Sequence, residues 1–109
     1  MRRSLRNVAV AGLIVAAGAA AAFEPGGPLQ TWRVEGVVHD VTPADGLRPP
    51  VLHLAPGFAE RGAEDQSAIV SEIARAVEPP TGPRMLIIRA PDRRLLGRWT
   101  PQSGLERLN

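Results

Sequence analysis

Residues 63–89, AEDQSAIVSEIARAVEPPTGPRMLIIR, decide the fold class. Apolar residues recur at helical spacing in the first half, which predicts a helix that begins near Ala63 and buries one stripe. The stripe comprises Ile69, Val70, Ile73, Ala76 and Val77. Because two consecutive prolines follow, the helix is expected to end near Val77 or Glu78. Residues 85–89, MLIIR, then form an unbroken apolar run, which is typical of a central strand buried on both faces.

Three further strands are predicted around this helix–strand unit. Residues 31–41, TWRVEGVVHDV, alternate with Trp32, Val34 and Val38 on one side, and residues 50–55, PVLHLA, form a second alternating run that pairs with them as a hairpin. Residues 95–100, LLGRWT, follow a tight turn. The order β-β-α-β-β predicts an α+β domain over residues 31–109, with one helix packed on a small mixed sheet and tryptophans in the core.

Residues 1–22 have the three parts of a secretory signal peptide. They are arginines at positions 2, 3 and 6, an apolar stretch of 16 residues over 8–23, and an exit of small residues that ends at Ala22. A membrane-spanning helix needs about 20 apolar residues. We therefore predict cleavage after Ala22, or one residue earlier, and a periplasmic or secreted protein.

Alternatives to this signal remain open. An uncleaved segment would anchor the chain in the inner membrane with the domain in the periplasm, and a buried soluble helix is the least favoured interpretation. The Arg2-Arg3 pair allows twin-arginine export, although the ordinary secretory route fits residues 4–6 better. Residues 23–30, FEPGGPLQ, are predicted to be a flexible Pro/Gly arm.

Composition excludes several function classes. The chain has 13 arginines, no lysine, no cysteine and 11 acidic residues, and its formal net charge is +2. The missing cysteine excludes disulfides, thiolate catalysis and cysteine metal sites. Three of the arginines lie in residues 1–22, which leaves ten against 11 acids and a net charge of −1. Nucleic acid is therefore not an expected partner, because its recognition needs a basic face.

Two side-chain sets carry ligand chemistry. His39, Asp40 and His53 lie on the two strands of the first predicted hairpin, where two imidazoles and a carboxylate are candidate metal ligands. Strand alternation, however, places His39 and Asp40 on opposite faces. The pattern therefore favours structural or solvent-facing histidines, and neither a metal nor a cofactor is predicted.

The second set is basic and belongs to the second predicted hairpin. It comprises Arg89, Arg93, Arg94 and Arg98, with Arg84 nearby. Guanidinium forks bind phosphates and carboxylates, so these arginines are candidates for binding an anion or a partner. The plainer interpretation is that a chain without lysine has its surface charge in arginine.

Catalytic motifs are missing from the sequence. Neither a GxSxG elbow, an HExxH pair, a Walker loop nor a GxGxxG is present. No catalytic residue is predicted, and we expect a protein that is not an enzyme. A domain this small without disulfides often gains stability from association, so a protein partner or a homo-oligomer is expected.

Residues 69–108 resemble the C-terminal half of the thioredoxin fold. The matching segments are IVSEIARAV, EPPTGP, RMLII, RAPDRR, LLGRWT and PQSGLERL. The resemblance implies that Pro83 matches the cis proline beside that family's active site and that the last segment is a helix. The family's CxxC is missing, so the resemblance implies at most a redox-inactive thioredoxin-like protein.

The expected function is that of a small exported, non-catalytic binding or accessory protein of the bacterial envelope. One alternative is a protein that binds anionic lipid or phosphate groups through its arginine hairpin. A second alternative is the redox-inactive thioredoxin-like protein.

Overall fold

A five-stranded mixed sheet and two α-helices form the described part of the protein. The computed structural model describes residues 24–108, so the predicted signal peptide lies outside them. In chain order the elements are α1 (Pro28–Val34), β1 (Val38–Thr42), β2 (Val51–Leu54), a 3-10 helix (Pro56–Glu60), α2 (Ala63–Val77), β3 (Leu86–Arg89), β4 (Leu95–Thr100) and β5 (Gly104–Arg107). The predicted α+β class is confirmed, but helix α1 and strand β5 were not predicted.

The strands lie in the sheet in the same order as in the chain. Neighbouring strands are antiparallel except β2 and β3, which are parallel. A parallel pair needs a crossover connection, and α2 provides it between β2 and β3. The prediction of a mixed sheet is therefore confirmed, and the crossover brings residues of the first hairpin beside residues of the second.

Helix α2 follows the prediction closely. It spans Ala63–Val77, and Glu64 and Asp65 lie in its first turn, where acidic side chains favour the positive end of the helix dipole. Its predicted stripe faces the core, with Ala76 only partly buried. The hydrophobic period of a 15-residue helix is a strong signal, and the consecutive prolines end it.

The prediction of a strand over residues 31–41 is wrong in its first half. Residues 28–34 form helix α1, which begins with a proline in its first turn and ends before Gly36 at a φ of 76°. The Gly36 N–H bonds the Arg33 carbonyl at 3.0 Å, and the Val37 N–H bonds the Trp32 carbonyl at 2.9 Å. This is a Schellman motif. Proline at the start and glycine after the end were therefore the helix signal that alternation obscured.

The flexible arm predicted over residues 23–30 does not extend to its last residues. Leu29 is fully buried in the hydrophobic core. Trp32, predicted on the inner side of a strand, instead joins the two helices, because its Nε1 donates to Glu72 Oε1 at 3.0 Å. Val34, predicted inward as well, is 75% exposed. Residues 28–34 thus belong to the folded domain.

The core lies between one face of the sheet and the helices. Leu52 and Leu54 on β2, Leu86 and Ile88 on β3 and Trp99 on β4 are all buried. The alternate residues of these strands lie on the opposite, outer face. The Trp99 ring, predicted in the core, donates from Nε1 to Ser71 Oγ on α2 at 2.9 Å, which satisfies its one polar group.

Strand β5 occupies Gly104–Arg107, where the thioredoxin resemblance implies a helix. It pairs with β4 so closely that a Cβ on Gly97 would overlap the Glu106 carbonyl oxygen. Gln66 fixes this end of the sheet, since it accepts from Arg107 and donates to the carbonyls of Phe58 and Arg61 at 3.0 Å each.

Two features differ from those implied by the thioredoxin resemblance. The segment matched to the final helix contains strand β5. The cis peptide bond found in residues 24–108 joins Pro79 and Pro80, not Gly82 and Pro83.

Candidate functional site

A polar row crosses three strands on the outer face of the sheet. Asp40 on β1 pairs with His53 on β2, and His53 pairs with Arg89 on β3. The second pairing exists because β2 and β3 are parallel neighbours. Members of the two candidate sets, which are far apart in the sequence, therefore meet at the carboxyl ends of the parallel strands.

His39 joins this row through a β-bulge. Register shifts by one residue between Val38 and Asp40, which leaves His39 as the extra residue of β1. Val38 and Val41 are both buried, whereas His39 is exposed and Asp40 is half-buried. The prediction that His39 and Asp40 lie on opposite faces is wrong, because the bulge interrupts the alternation. Bulges commonly redirect side chains beside functional sites.

Four charged or protonatable side chains, Asp40, His39, Arg89 and Arg93, therefore lie close enough to His53 to act on its charge. We call this group the His/Arg cluster: His39, His53, Arg89 and Arg93, with Asp40 beside them. The cluster contains two guanidinium groups and one carboxylate, and protonation of His53 adds a further positive charge. The electrostatics of the cluster thus favour an anion, increasingly so towards acid pH.

The His53 imidazole is the half-buried centre of the cluster. Its Nε2 lies 2.8 Å from Thr42 Oγ1. Burial lowers the pKa of His53 below its ordinary value of 6.5, and the positive charges of nearby His39, Arg89 and Arg93 lower it further, while the Asp40 carboxylate opposes them. A bound anion would raise the pKa of His53 again, since a nearby negative charge favours the imidazolium.

Arg93 lies at the tip of the turn between β3 and β4. Its φ is 71°, a left-handed conformation that non-glycine residues rarely adopt. The Arg89 Nη1 donates to the Arg93 carbonyl at 3.0 Å, whereas the Arg93 guanidinium has no hydrogen-bond or ion-pair partner among residues 24–108. An unpaired arginine thus projects beside the half-buried Arg89.

The other two predicted arginines have carboxylate partners. Arg98 Nε lies 3.1 Å from Glu106 Oε1 on β5, and Arg94 Nε lies 4.0 Å from Asp92 Oδ2 in the same turn. In the sheet Arg98 lies opposite Ile87, whereas Arg89 lies opposite Leu95, so Arg98 is not the cross-strand neighbour of Arg89. Of the four arginines, Arg89 and Arg93 are the two that reach the histidines.

The candidate metal ligands do not form a metal site among the described residues. No group of three or more His, Asp or Glu side chains within residues 24–108 is placed to hold an ion. Asp40 is partly engaged by its own strand, since its Oδ1 accepts from the Val41 N–H at 2.7 Å.

Hydroxyl and carboxylate groups on α2 have structural roles. Ser71 accepts from Trp99, and Glu72 accepts from Trp32. The Arg61 guanidinium lies 5.2 Å from the Trp32 ring centroid, which adds a cation–π contact. These groups therefore secure the helices to each other and to the sheet.

Comparisons of the chain with protein-family models, with curated proteins and with solved structures give no significant match. Within residues 24–108, no helix is both long and apolar enough to cross a bilayer.

The residue types of the site were visible in the sequence, but their grouping was not. The pairing of His53 with Arg89 depends on a parallel contact across α2, for which alternation and turn signals carry no information. The bulge at His39 also lacks a local signal, since no glycine marks it.

Proposed function

We propose that this protein is an exported, non-catalytic binding module that holds an anionic group of its partner at the His/Arg cluster. The observation that carries the proposal is the parallel β2–β3 pairing, which places His53 opposite Arg89 and close to Arg93, whose guanidinium has no partner within residues 24–108. Arginine forks and protonatable imidazoles are suited to phosphate and carboxylate oxygens.

The backbone at Arg93 supports the same function. A residue held in the left-handed region costs on the order of 1–2 kcal/mol, which glycine would avoid. A turn that retains arginine there, with its guanidinium unpaired, keeps a positive charge at the end of the sheet at the expense of stability. Binding at this position would account for that cost.

Export is supported by the sequence of residues 1–22, and it sets the class of partner. Outside the cytoplasm, anionic groups are presented by phospholipid head groups and by acidic protein surfaces. The alternative of a redox-inactive thioredoxin-like protein is supported by the resemblance of residues 69–108, and it would also be a binding protein.

Heparin chromatography with charge-matched variants tests the proposal. In the full chain, Arg89→Gln with Arg93→Gln should elute from the column at clearly lower salt than the unchanged protein. The control, Arg33→Gln with Arg75→Gln, removes the same charge outside the cluster and should elute close to the unchanged protein. Equal shifts for both variants would mean that retention follows net charge alone and would contradict the proposal.

Flotation with vesicles then separates the two partner classes. Vesicles of phosphatidylglycerol and phosphatidylcholine in equal parts are compared with phosphatidylcholine alone, using the same two variants. A loss of flotation confined to the cluster variant and to anionic vesicles assigns the anion to lipid. Equal flotation of both variants assigns it to a protein surface.

A homo-oligomer or a protein complex is the second candidate, and the outer face of the sheet favours it. Val51 on β2 and Ile87 on β3 are neighbours there, and the row continues through Arg98 and Glu106. Sedimentation velocity of the full chain tests it. Association that Val51→Asp abolishes would support it, and a monomer at every concentration would contradict the homo-oligomer.

A further inference from the structure

A groove at the opposite end of the sheet has a composition unlike that of the His/Arg cluster. It lies between the loop that joins β1 to β2 and the loop that joins α2 to β3, and it encloses about 360 Å³. We call it the proline groove, because its walls include Pro43, Pro49, Pro50, Pro79 and Pro83. Val77 and Met85 add apolar surface. Ligand cavities of about 300–1,000 Å³ are typical of small-molecule sites.

Two arginines line this apolar groove without partners. Arg48 and Arg84 make no hydrogen bond or ion pair through their side chains within residues 24–108. Glu78 is the one acidic residue of the lining, so positive charge exceeds negative charge. An apolar cavity with two unpaired guanidinium groups is complementary to a molecule with an apolar body and an anionic head.

The walls of the groove disfavour a peptide as its occupant. Prolines lack the backbone N–H that an extended peptide would need as a donor. None of the described lining residues belongs to a strand, since they precede β2 and β3 or follow β1. A hydrocarbon chain needs no hydrogen bond from the backbone, and the rigid proline rings provide apolar surface that it can contact.

The size of the groove limits the size of its occupant. A volume of about 360 Å³ lies near the lower end of the range typical of small-molecule sites, so the groove suits a small ligand. Leu47 is fully exposed at the tip of a short β-turn at the mouth of the groove, where it extends the apolar surface.

We propose that the proline groove binds a medium-chain aliphatic carboxylate, with its chain against the prolines and its carboxylate paired with Arg48 and Arg84. This ligand is independent of the anion at the His/Arg cluster, which lies at the other end of the parallel strands. The inference goes beyond the proposed function, and either can fail alone.

Isothermal titration of the full chain with decanoate, below its micellar concentration, tests the proposal. We expect one site, and the variant Arg48→Gln with Arg84→Gln should bind at least about ten-fold more weakly. The control variant Arg75→Gln with Arg94→Gln removes the same charge outside both proposed sites and should stay within about two-fold of the unchanged protein. Undiminished binding in the first variant, or no binding to the unchanged protein, would overturn the proposal.

Decanol separates the contribution of charge from that of the chain. The unchanged protein should bind decanol more weakly than decanoate, whereas the Arg48→Gln, Arg84→Gln variant should bind the two alike. Equal affinity of the unchanged protein for both would overturn the role of the arginines.

A variant that fills the groove tests its location. Ala44 is an exposed lining residue, so Ala44→Trp should abolish decanoate binding and leave the melting temperature unchanged. Retained binding in a folded Ala44→Trp protein would overturn the site. A concentration-dependent dimer that Leu47→Ser dissociates would assign the groove to a second copy of the chain and would also overturn the proposal.

Discussion

Arg93 occupies a backbone conformation that glycine adopts more easily, and within residues 24–108 its guanidinium has no hydrogen-bond or ion-pair partner. We expect Arg93→Gly to raise the free energy of unfolding by a few tenths to about 1 kcal/mol, because relief of the left-handed strain exceeds the added entropy of the unfolded chain. The same variant should elute from heparin at lower salt. Urea unfolding and chromatography measure the two effects.

Arg93→Asn is the control for this prediction, because asparagine tolerates the left-handed region but carries no charge. It should weaken retention as much as Arg93→Gly does. A loss of stability in Arg93→Gly, or retention unchanged in both variants, would contradict the interpretation of Arg93 as a binding residue.

His53 makes the stability of the fold depend on pH. Because burial holds the pKa of His53 below its unfolded value near 6.5, the unfolded chain binds more protons between the two values. The stability that neutral His53 gives the folded state is therefore fully present above about pH 6.5. It is lost as the pH falls towards the lower pKa of the folded state. Urea unfolding near pH 7.5 and near pH 5.5 should show a smaller decrease for His53→Gln than for the unchanged protein. An equal decrease in both would contradict this assignment.

Sulfate should oppose that loss at acid pH. Its charge is constant over this range, and a bound anion raises the pKa of His53. Sulfate should therefore raise the melting temperature more near pH 5.5 than near pH 7.5. The difference should vanish in Arg89→Gln with Arg93→Gln, and a difference that persists there would place the anion elsewhere.

Helix α1 is the element that sequence alternation concealed. Trp32, Val34 and Val38 lie two or four positions apart, which fits a strand, yet Pro28 and Gly36 provide the start and the stop of a helix. Two capping hydrogen bonds end helix α1 at Gly36. In a segment this short they stabilise the helix more than the alternating pattern favours a strand. Helix α2 was predictable because its apolar period extends over four turns and its terminus is marked by prolines.

Leu29 tests whether α1 belongs to the domain. Its side chain is fully buried, so Leu29→Ala should lower the free energy of unfolding by about 2–4 kcal/mol through lost contacts and an unfilled cavity. Val34→Ala in the same helix removes an exposed side chain and should change stability by less than about 0.5 kcal/mol. A negligible effect of Leu29→Ala would contradict the assignment of residues 28–30 to the folded domain and would support the predicted flexible arm.

The parallel pairing of β2 and β3 organises the whole molecule. The carboxyl ends of these strands carry His53 and Arg89, and the residues before their amino ends line the proline groove. Residue types at both ends were visible in the sequence, and the histidines and the hairpin arginines were named from it. Their meeting depends on a contact between distant segments, which local patterns do not encode.

NMR titration of the isotope-labelled full chain with sulfate, near pH 6 and at low ionic strength, tests this central claim most directly. The account predicts that the His53 imidazole and the side chains of Arg89 and Arg93 shift together with one affinity, while Arg75 on α2 stays unmoved. The variant Arg89→Gln with Arg93→Gln should lose the His53 response. Shifts of similar size at all exposed arginines, with His53 unaffected, would contradict it.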